Sequence, residues 1–267
     1  MRDKIKVLFL ASDPFFDRAP LRLDEEVRAV GNALRKGTAR DSVELIPYFA
    51  TRTRDLQEAL LRHDPQIVHF AGHGGGSGVI YLGDAQGRPG AVGKEALAKL
   101  FGLLSEWVKV VILNGCDTLP IVEALSEVVD YSIGMNQPLG DASAISFARA
   151  FYGALGMGKS VQASFDLAVI QLEIEGNPDA SIPVLHVRPG VDPVTPLVAP
   201  PPSSHAPATE GGAVAQPSDG AGDHVINYGK FHGDRMVFEN RPGSEKKTRQ
   251  VVNFEEGSGD DYIFRNG

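Results

Sequence analysis

The residues of this sequence best suited to chemistry are a thiol and an imidazole that each follow an apolar run. Cys116 is the only cysteine in the 267-residue chain, and it closely follows the β-branched run at residues 108–113. His73 closely follows a shorter apolar run at residues 67–70. An imidazole beside a thiol takes up its proton, and the resulting thiolate is a strong nucleophile. These two residue types therefore predict covalent catalysis by cysteine if the fold brings them together.

Alternating strand and helix patterns over residues 1–190 predict such a fold. The predicted strands are at residues 6–11, 43–49, 67–70, 108–113, 131–135 and 182–187. The predicted helices are at residues 23–34, 55–62, 94–107, 121–128, 143–155 and 161–175, and a hairpin begins at residues 79–82. This alternation predicts an α/β fold with a mostly parallel sheet and helices on both faces. Ligands of such sheets bind at the carboxyl edge, where we expect His73 and Cys116 to meet.

Bulk composition excludes several classes of function. The formal net charge of -8 argues against a nucleic-acid or anionic-membrane partner, which would favour a basic face. The apolar run at residues 5–11 is too short for a signal peptide or a membrane span. A single cysteine rules out an internal disulfide framework and the usual thiol set of a zinc site, so we expect no metal and no cofactor. A free thiol fits a cytoplasmic protein.

The composition changes twice after the predicted α/β domain at residues 1–190. Residues 191–224 are dominated by proline, glycine, alanine and serine, and they have too few large apolar residues to fold, so they are predicted to be a disordered linker. Residues 225–267 form a short β-rich tail with an internal repeat, because residues 225–240 align without gaps on residues 251–266. Six positions are identical: Val225/Val251, Asn227/Asn253, Gly233/Gly259, Asp234/Asp260, Phe238/Phe264 and Asn240/Asn266.

The two copies of the repeat differ in charge in a complementary way. At three aligned positions the two copies carry opposite charges, namely Lys230/Glu256, Arg235/Asp261 and Glu239/Arg265. Stacking the copies in register would place opposite charges beside each other, whereas like charges on neighbouring strands destabilise a sheet. High β-propensity with little net charge is also typical of cross-β segments. We therefore predict that the tail self-assembles through Lys230, Glu256 and five of the identical pairs. Those pairs are Asn227/Asn253, Gly233/Gly259, Asp234/Asp260, Phe238/Phe264 and Asn240/Asn266.

Three blocks around the thiol and the imidazole resemble the cysteine-peptidase clan of caspases and separases, and most closely its bacterial CHAT branch. They are residues 68–74, residues 112–116, and residues 134–141 with the following segment 147–152. The likeness covers about residues 5–190, with Gly115 where many relatives have alanine. The resemblance implies a caspase-like fold and an endopeptidase with a Cys–His dyad and no metal.

By this resemblance, Cys116 is the nucleophile and His73 is the general base that later protonates the leaving amine. The amides of Gly74 and Cys116 would hold the oxyanion. The residues alone leave simpler roles open, namely a buried apolar role for Cys116 and a loop imidazole for His73. His69 lies within an apolar strand and is interpreted as a packed core histidine with a supporting polar contact as the alternative.

Two acidic residues are candidates for the pocket that binds the substrate side chain before the scissile bond. Asp141 matches, by its place ahead of a helix, an aspartate that recognises arginine in separase-like members, although it is also placed to act as an ordinary N-cap. Asp117 directly follows the nucleophile and is the second candidate. The basic pocket of true caspases has no evident counterpart. The sequence therefore predicts cleavage after Arg or Lys.

The two-copy tail resembles the prion-forming signalling motifs of the fungal HET-s type and their bacterial analogues, in which two pseudo-repeats stack as rungs of a β-solenoid. The resemblance implies self-assembly and a sensor protein of the NTPase type that carries a matching motif. A pair of hairpins docked on the catalytic domain, or plain disorder, are the alternatives for the tail. The resulting hypothesis is a cell-death or antiphage-defence effector that cleaves a protein substrate. A catalytically inactive adaptor and a cysteine-dependent acyltransferase are the competing hypotheses.

Overall fold

The computed structural model describes residues 4–15 and 17–198, and beyond them only short strand segments. Those segments are residues 224–228, 231–232, 236–239, 250–254, 257–258 and 262–265. The chain divides into two units, Met1–Ala206 and Pro207–Gly267. The elements of the first unit are, in chain order, β1 (Ile5–Ser12), α1 (Leu23–Lys36), β2 (Val43–Tyr48), α2 (Thr53–His63), β3 (Ile67–Gly72), β4 (Gly74–Gly75), β5 (Val79–Gly83), β6 (Pro89–Gly93), α3 (Lys94–Leu103), β7 (Val110–Asn114), α4 (Leu119–Leu125), β8 (Tyr131–Met135), α5 (Asp141–Gly156), α6 (Val161–Ile174) and β9 (Pro183–Val187).

Six of these strands form the central sheet in the order β2-β1-β3-β7-β8-β9. The first five strands are parallel, and β9 runs antiparallel to β8. The predicted α/β fold with a mostly parallel sheet is therefore confirmed. In the register of β3 against β7, Phe70 is opposite Leu113 and Ala71 is opposite Asn114, so the two strands end at the same level. The predicted hairpin is the pair β5–β6, to which β4 adds a third antiparallel strand.

Helices cover both faces of the sheet, and this explains why its strands read as continuous apolar runs. Successive side chains of a strand point to opposite faces. In β1, Val7 and Phe9 belong to the core beneath α1, α5 and α6, whereas Leu8 and Leu10 belong to the core beneath α2, α3 and α4. All four side chains are buried, so the sheet separates two apolar layers.

Most boundaries of the first unit differ from the sequence prediction by a few residues, and the differences are largest around α3. The helix predicted at residues 94–107 ends at Leu103, because Gly102 is a poor helix former and the amide of Leu104 bonds the Phe101 carbonyl in a tightened last turn. The strand predicted to begin at residue 108 begins at Val110. At the other end of the unit, residues 191–198 fall in the predicted linker, yet Val198 is buried against the core.

The second unit is described only by its strands, β10 (His224–Tyr228), β11 (Phe231–His232), β12 (Met236–Glu239), β13 (Gln250–Phe254), β14 (Gly257–Ser258) and β15 (Tyr262–Arg265). They pair in parallel as β10–β13, β11–β14 and β12–β15. The register places Asn227 opposite Asn253, Phe238 opposite Phe264 and Glu239 opposite Arg265, which is the alignment of the two sequence copies. The other residues assigned to self-assembly lie outside the described residues: Lys230, Gly233, Asp234, Asn240, Glu256, Gly259, Asp260 and Asn266.

Candidate active site

A small cavity of about 40 Å³ lies at the carboxyl edge of the central sheet. His73 directly follows β3, Cys116 follows β7 by two residues, and both side chains line this cavity. The two residues meet there because β3 and β7 are paired neighbours that end together. Cys116 is only partly buried, whereas the alternative role of a buried apolar residue would leave it with no access to solvent. The structure thus brings a reachable thiol and an imidazole into one cleft.

A carboxylate on a third strand end orients the imidazole. Asp13 directly follows β1, and its Oδ1 lies 3.1 Å from Nε2 of His73. The two are adjacent because Ser12 of β1 is opposite Gly72 of β3 in the parallel register. A carboxylate only accepts hydrogen bonds, so Nε2 carries the proton and Nδ1 of the neutral ring is left as the basic nitrogen. The ring of Phe15 packs edge-on against His73 with centroids 4.9 Å apart.

Two glycines allow the histidine turn and the cysteine turn to touch through their backbones. A Cβ on Gly74 would lie 2.2 Å from the carbonyl oxygen of Cys116. A Cβ on Gly115 would lie 2.7 Å from the carbonyl oxygen of Gly72 and 3.2 Å from the nitrogen of Gly74. Any side chain at either position would push the turns apart. The amides of Gly74 and Cys116, the predicted oxyanion donors, therefore lie in two turns in direct contact.

A buried threonine holds the turn that carries Cys116. Oγ1 of Thr118 lies 3.1 Å from the Leu113 carbonyl oxygen and 3.2 Å from that of Gly115. It also accepts the amide of Met135 at 2.9 Å, which connects the turn to β8. Asp117 takes a left-handed backbone with φ of 53°, an uncommon conformation for a residue other than glycine. The thiol is thus presented from a sharp and well-anchored turn.

A polar network lies beneath the cavity in the interior of the first unit. Oε1 of Glu26 is 2.9 Å from His69 Nε2 and accepts the side-chain amide of Asn114 at 2.7 Å. His69 Nδ1 is 3.1 Å from the hydroxyl of Tyr152, and the imidazole stacks on Phe9 with centroids 4.5 Å apart. All four polar side chains are buried. His69 is thus a core histidine with polar contacts, and Glu26 and Asn114 also line the cavity.

The direction of the hydrogen bonds in this network follows from its surroundings. Burial, with a smaller contribution from the charge of Glu26, raises the pKa of Tyr152 well above its ordinary value. Its hydroxyl therefore keeps its proton and donates to Nδ1 of His69, whose Nε2–H then donates to Glu26. Among the residues that the structure describes, Oδ1 of Asn114 has no hydrogen-bond partner, although its amide nitrogen donates to Glu26 and to the Ala144 carbonyl.

The two candidates for substrate recognition are placed differently. Asp141 is the first residue of α5 and lines the cavity, and its Oδ2 accepts the backbone amide of Arg22 at 3.3 Å. The N-cap alternative for Asp141 is wrong, because Gly140 occupies the cap position. Asp117 is not among the described residues that line the cavity.

The segment before α1 narrows the cavity. Residues 21–23 line the cavity. The backbone amide of Leu21 donates to Oδ2 of Asp13 at 3.0 Å, and the backbone amide of Arg22 donates to Oδ2 of Asp141. The guanidinium of Arg22 pairs with Glu25, which raises the pKa of that guanidinium further. A free volume of about 40 Å³ has room for about one water molecule. A long side chain therefore enters only if residues that line the cavity move.

Comparison with known proteins identifies the family. The family model for the CHAT domain matches residues 8–177, so the chain belongs to the CHAT-domain family and the sequence resemblance is confirmed at that level. A solved structure of a secreted C11 cysteine protease from Bacteroides thetaiotaomicron is similar at 13% identity and a TM-score of 0.36, covering 52% of this chain and 54% of that one. Caspase-1 from Spodoptera frugiperda is similar at 9% identity and a TM-score of 0.48, covering 69% and 87%. A comparison with curated proteins finds no match.

Neither a metal cluster nor a membrane span occurs within the described part of the chain. There, no group of three or more His, Cys, Asp or Glu side chains is arranged to hold a metal ion. No helix of that part has both the length and the apolar character needed to cross a bilayer.

Proposed function

We propose that this protein is a cysteine endopeptidase with Cys116 as the nucleophile and His73 as the general base. The observation that carries the proposal is the shared cavity at the ends of β3 and β7, lined by both residues. Asp13 supports it as a positioning residue, since its carboxylate fixes which nitrogen of His73 is basic. The membership of the CHAT-domain family agrees with this assignment.

The first chemical step transfers the thiol proton of Cys116 to Nδ1 of His73, and the thiolate attacks the scissile carbonyl carbon. The negative charge that develops on the carbonyl oxygen is held by the amides of Gly74 and Cys116, whose turns are in contact. The imidazolium then protonates the leaving amine, and the peptide bond breaks to leave a thioester on Cys116. Water, deprotonated by His73, hydrolyses the thioester and restores the free thiol.

The charges around the cavity favour a basic side chain before the scissile bond. Glu26 and Asp141 both line the cavity, and Arg22, the one Lys or Arg among the described residues that line it, is already paired with Glu25. We propose that the enzyme cleaves after Arg or Lys, with Asp141 as the acidic group that contacts the substrate side chain and the buried charge of Glu26 adding to the negative potential of the cavity. Asp117 is the second candidate and would act from the rim.

The repeated tail is proposed to recruit and cluster the enzyme. The strands of the tail pair in parallel and in register, β10 with β13, β11 with β14 and β12 with β15, which supports a stacked arrangement of the two copies. A matching motif on a sensor protein of the NTPase type would supply further rungs, and the enzyme would act as a cytoplasmic effector of cell death or antiphage defence. The narrow cavity fits an enzyme that is latent until it is clustered.

A cleavage-site experiment tests the catalytic proposal. Full-length protein is incubated with a peptide library derived from a proteome, and the new termini are identified by mass spectrometry. We expect cuts after Arg and Lys that disappear in Cys116→Ala. Cuts after aspartate would overturn the proposed specificity, and activity retained in Cys116→Ala would overturn the mechanism.

A second experiment separates the peptidase from an inactive adaptor, which would use the same tail. Fibre formation by full-length Cys116→Ala should equal that of the wild type, whereas Lys230→Glu should reduce it and the added Glu256→Lys should restore it. A thiol-reactive peptidyl probe should label Cys116 in the wild type. Fibres with no labelling by the probe would favour the adaptor.

A further inference from the structure

A large groove on the first unit lies between α1, α5 and α6, separate from the active-site cavity. It has a volume of about 920 Å³. Its lining from α1 runs from Glu25 to Lys36, a length of about 16 Å at the rise of an α-helix. Five of its lining residues are small, namely Ala29, Ala33, Ala150, Gly153 and Ala154. The groove is thus about three helical turns long, and its walls allow close approach.

One residue of the groove has no explanation within the unit itself. Gly153 lies in the interior of α5, where glycine destabilises a helix relative to alanine. A Cβ built on Gly153 meets no heavy atom within 4 Å. The described unit therefore does not require a glycine here, whereas a molecule lying in the groove would.

The rim of the groove is basic, although the chain as a whole carries a net charge of -8. Arg28, Lys36, Arg149 and Lys159 line it, against a single acid among the described residues, Glu25. Arg28 pairs with Asp24 of the same helix, and Arg149 pairs with Glu175, which directly follows α6. Lys36 and Lys159 form no ion pair with any residue in the described part of the chain. An occupant of the groove should therefore carry apolar side chains flanked by acids.

A surface of that description lies on α6 of the same unit. Leu167, Ile170 and Ile174 follow an i, i+3, i+7 spacing and are 43%, 45% and 75% exposed. Such a spacing places them along one face of the helix. Asp166 and Glu173, both exposed and seven residues apart, lie along one side of this apolar ridge. Large exposed apolar side chains in such a continuous arrangement commonly mark an interaction site.

We infer that the groove and the ridge are the two halves of an interface between copies of this chain. The ridge of α6 (Leu167, Ile170 and Ile174) from one copy would lie in the groove of the other, with its acids facing the basic rim. Leu167 belongs to the ridge and also lines the groove, so the two surfaces adjoin, and a two-fold axis between two copies would satisfy both halves at once. Ile145 lines the groove and also the active-site cavity, so a bound copy contacts a wall of that cavity.

A cross-linking experiment on full-length protein tests the geometry. Every protein carries Cys116→Ala, which removes the only native thiol. One protein carries Gly153→Cys, a second protein of different size carries Ile170→Cys, and the mixture is oxidised. We expect a disulfide-linked heterodimer. Leu103→Cys in place of Ile170→Cys is the matched control, since Leu103 is 81% exposed but lies on α3, across the sheet. Cross-linking no greater than in this control would overturn the inference.

Charge reversal tests the complementarity and excludes other occupants. The groove variant combines Lys36→Glu with Lys159→Glu, and the ridge variant combines Asp166→Lys with Glu173→Lys. When both cross-linking partners are groove variants, or both are ridge variants, the yield should fall at least about 5-fold, because like charges then oppose each other. A groove variant with Gly153→Cys, mixed with a ridge variant with Ile170→Cys, should recover the original yield.

The reversals also distinguish other occupants of the groove. If the groove binds another protein or the tail instead of a second copy, the reversals leave the cross-linking yield unchanged, and the inference fails. Circular dichroism of each variant checks that the fold is retained.

Discussion

Two histidine–carboxylate pairs involve strand β3. His69 lies within the strand and pairs with Glu26, whereas His73 directly follows the strand and pairs with Asp13. The two pairs have the same chemical groups but different surroundings. His73 and Asp13 lie at the sheet edge with side chains 13% and 17% exposed, beside the cavity that Cys116 lines. His69 and Glu26 are almost fully buried, with His69 four residues before His73. The edge pair can reach a substrate and exchange protons, whereas the interior pair bonds to Tyr152 and Asn114. Position along one strand thus separates the pair proposed for catalysis from a pair buried in the interior.

The largest effect should follow loss of the edge histidine. His73→Ala should lower kcat/KM by about 10⁴- to 10⁶-fold, the range seen when a nucleophile loses its base. Its free energy of unfolding should fall by no more than about 1–2 kcal/mol, because the Asp13 carboxylate keeps the amide of Leu21 as a partner. A fluorogenic arginyl peptide and urea unfolding measure the two quantities. If His73→Ala lost activity only because the protein unfolded, the proposed difference between the edge pair and the interior pair would be wrong.

Loss of the interior histidine should act on stability instead. His69→Ala should lower the free energy of unfolding by about 3–5 kcal/mol, since it leaves the carboxylate of Glu26 buried without its imidazole partner. Replacing both members, as in His69→Phe with Glu26→Leu, should cost less than His69→Ala, because no charge is then left behind. Urea unfolding compares the three proteins. A double variant less stable than the single one would show that the pair itself stabilises the fold.

Loss of the edge carboxylate should have an intermediate effect on catalysis alone. Asp13→Asn should lower kcat by about 10²-fold with little change in KM, because the amide no longer fixes the tautomer of His73. Asp17→Asn is the matched control, since Asp17 is an exposed acid of the same loop. Equal behaviour of the two variants would remove Asp13 from the site.

The smallest effect should come from the hydroxyl behind the interior pair. Tyr152→Phe should lower the free energy of unfolding by about 1–3 kcal/mol, because Nδ1 of His69 loses its donor. The pKa of Tyr152 is raised in the folded state, so its contribution is fully present below pH about 10 and declines as the pH rises toward the raised value. The wild type should therefore lose stability more steeply above that pH than Tyr152→Phe does. Parallel curves would contradict the assignment.

The fold and the meeting of thiol with imidazole were predictable because both rest on local patterns. Continuous apolar runs identify strands covered on both faces, and parallel strands end at a common edge. His73 and Cys116 each follow such a run closely, so their encounter required only that β3 and β7 be neighbours.

The partners of the two histidines were not predictable in the same way. Asp13 closely follows the predicted first strand, but its role depends on the pairing of β1 with β3, which the sequence does not specify. Glu26 had a visible signal, since it precedes Val30 and Leu34 by one and two turns and so lies on the apolar face of α1. An acid on that face and His69 in an apolar strand both needed a buried partner. Only the packing of α1 on the sheet shows that they serve each other.

The central claim is that His73 activates Cys116 while His69 does not. The rate of alkylation by iodoacetamide at pH 7 measures this directly, because Cys116 is the chain's only thiol. We predict that full-length protein reacts at least about 10-fold faster than free cysteine, that His73→Gln removes this advantage, and that folded His69→Gln retains it. A thiol that reacts like free cysteine, and equally in the wild type and His73→Gln, would contradict the account.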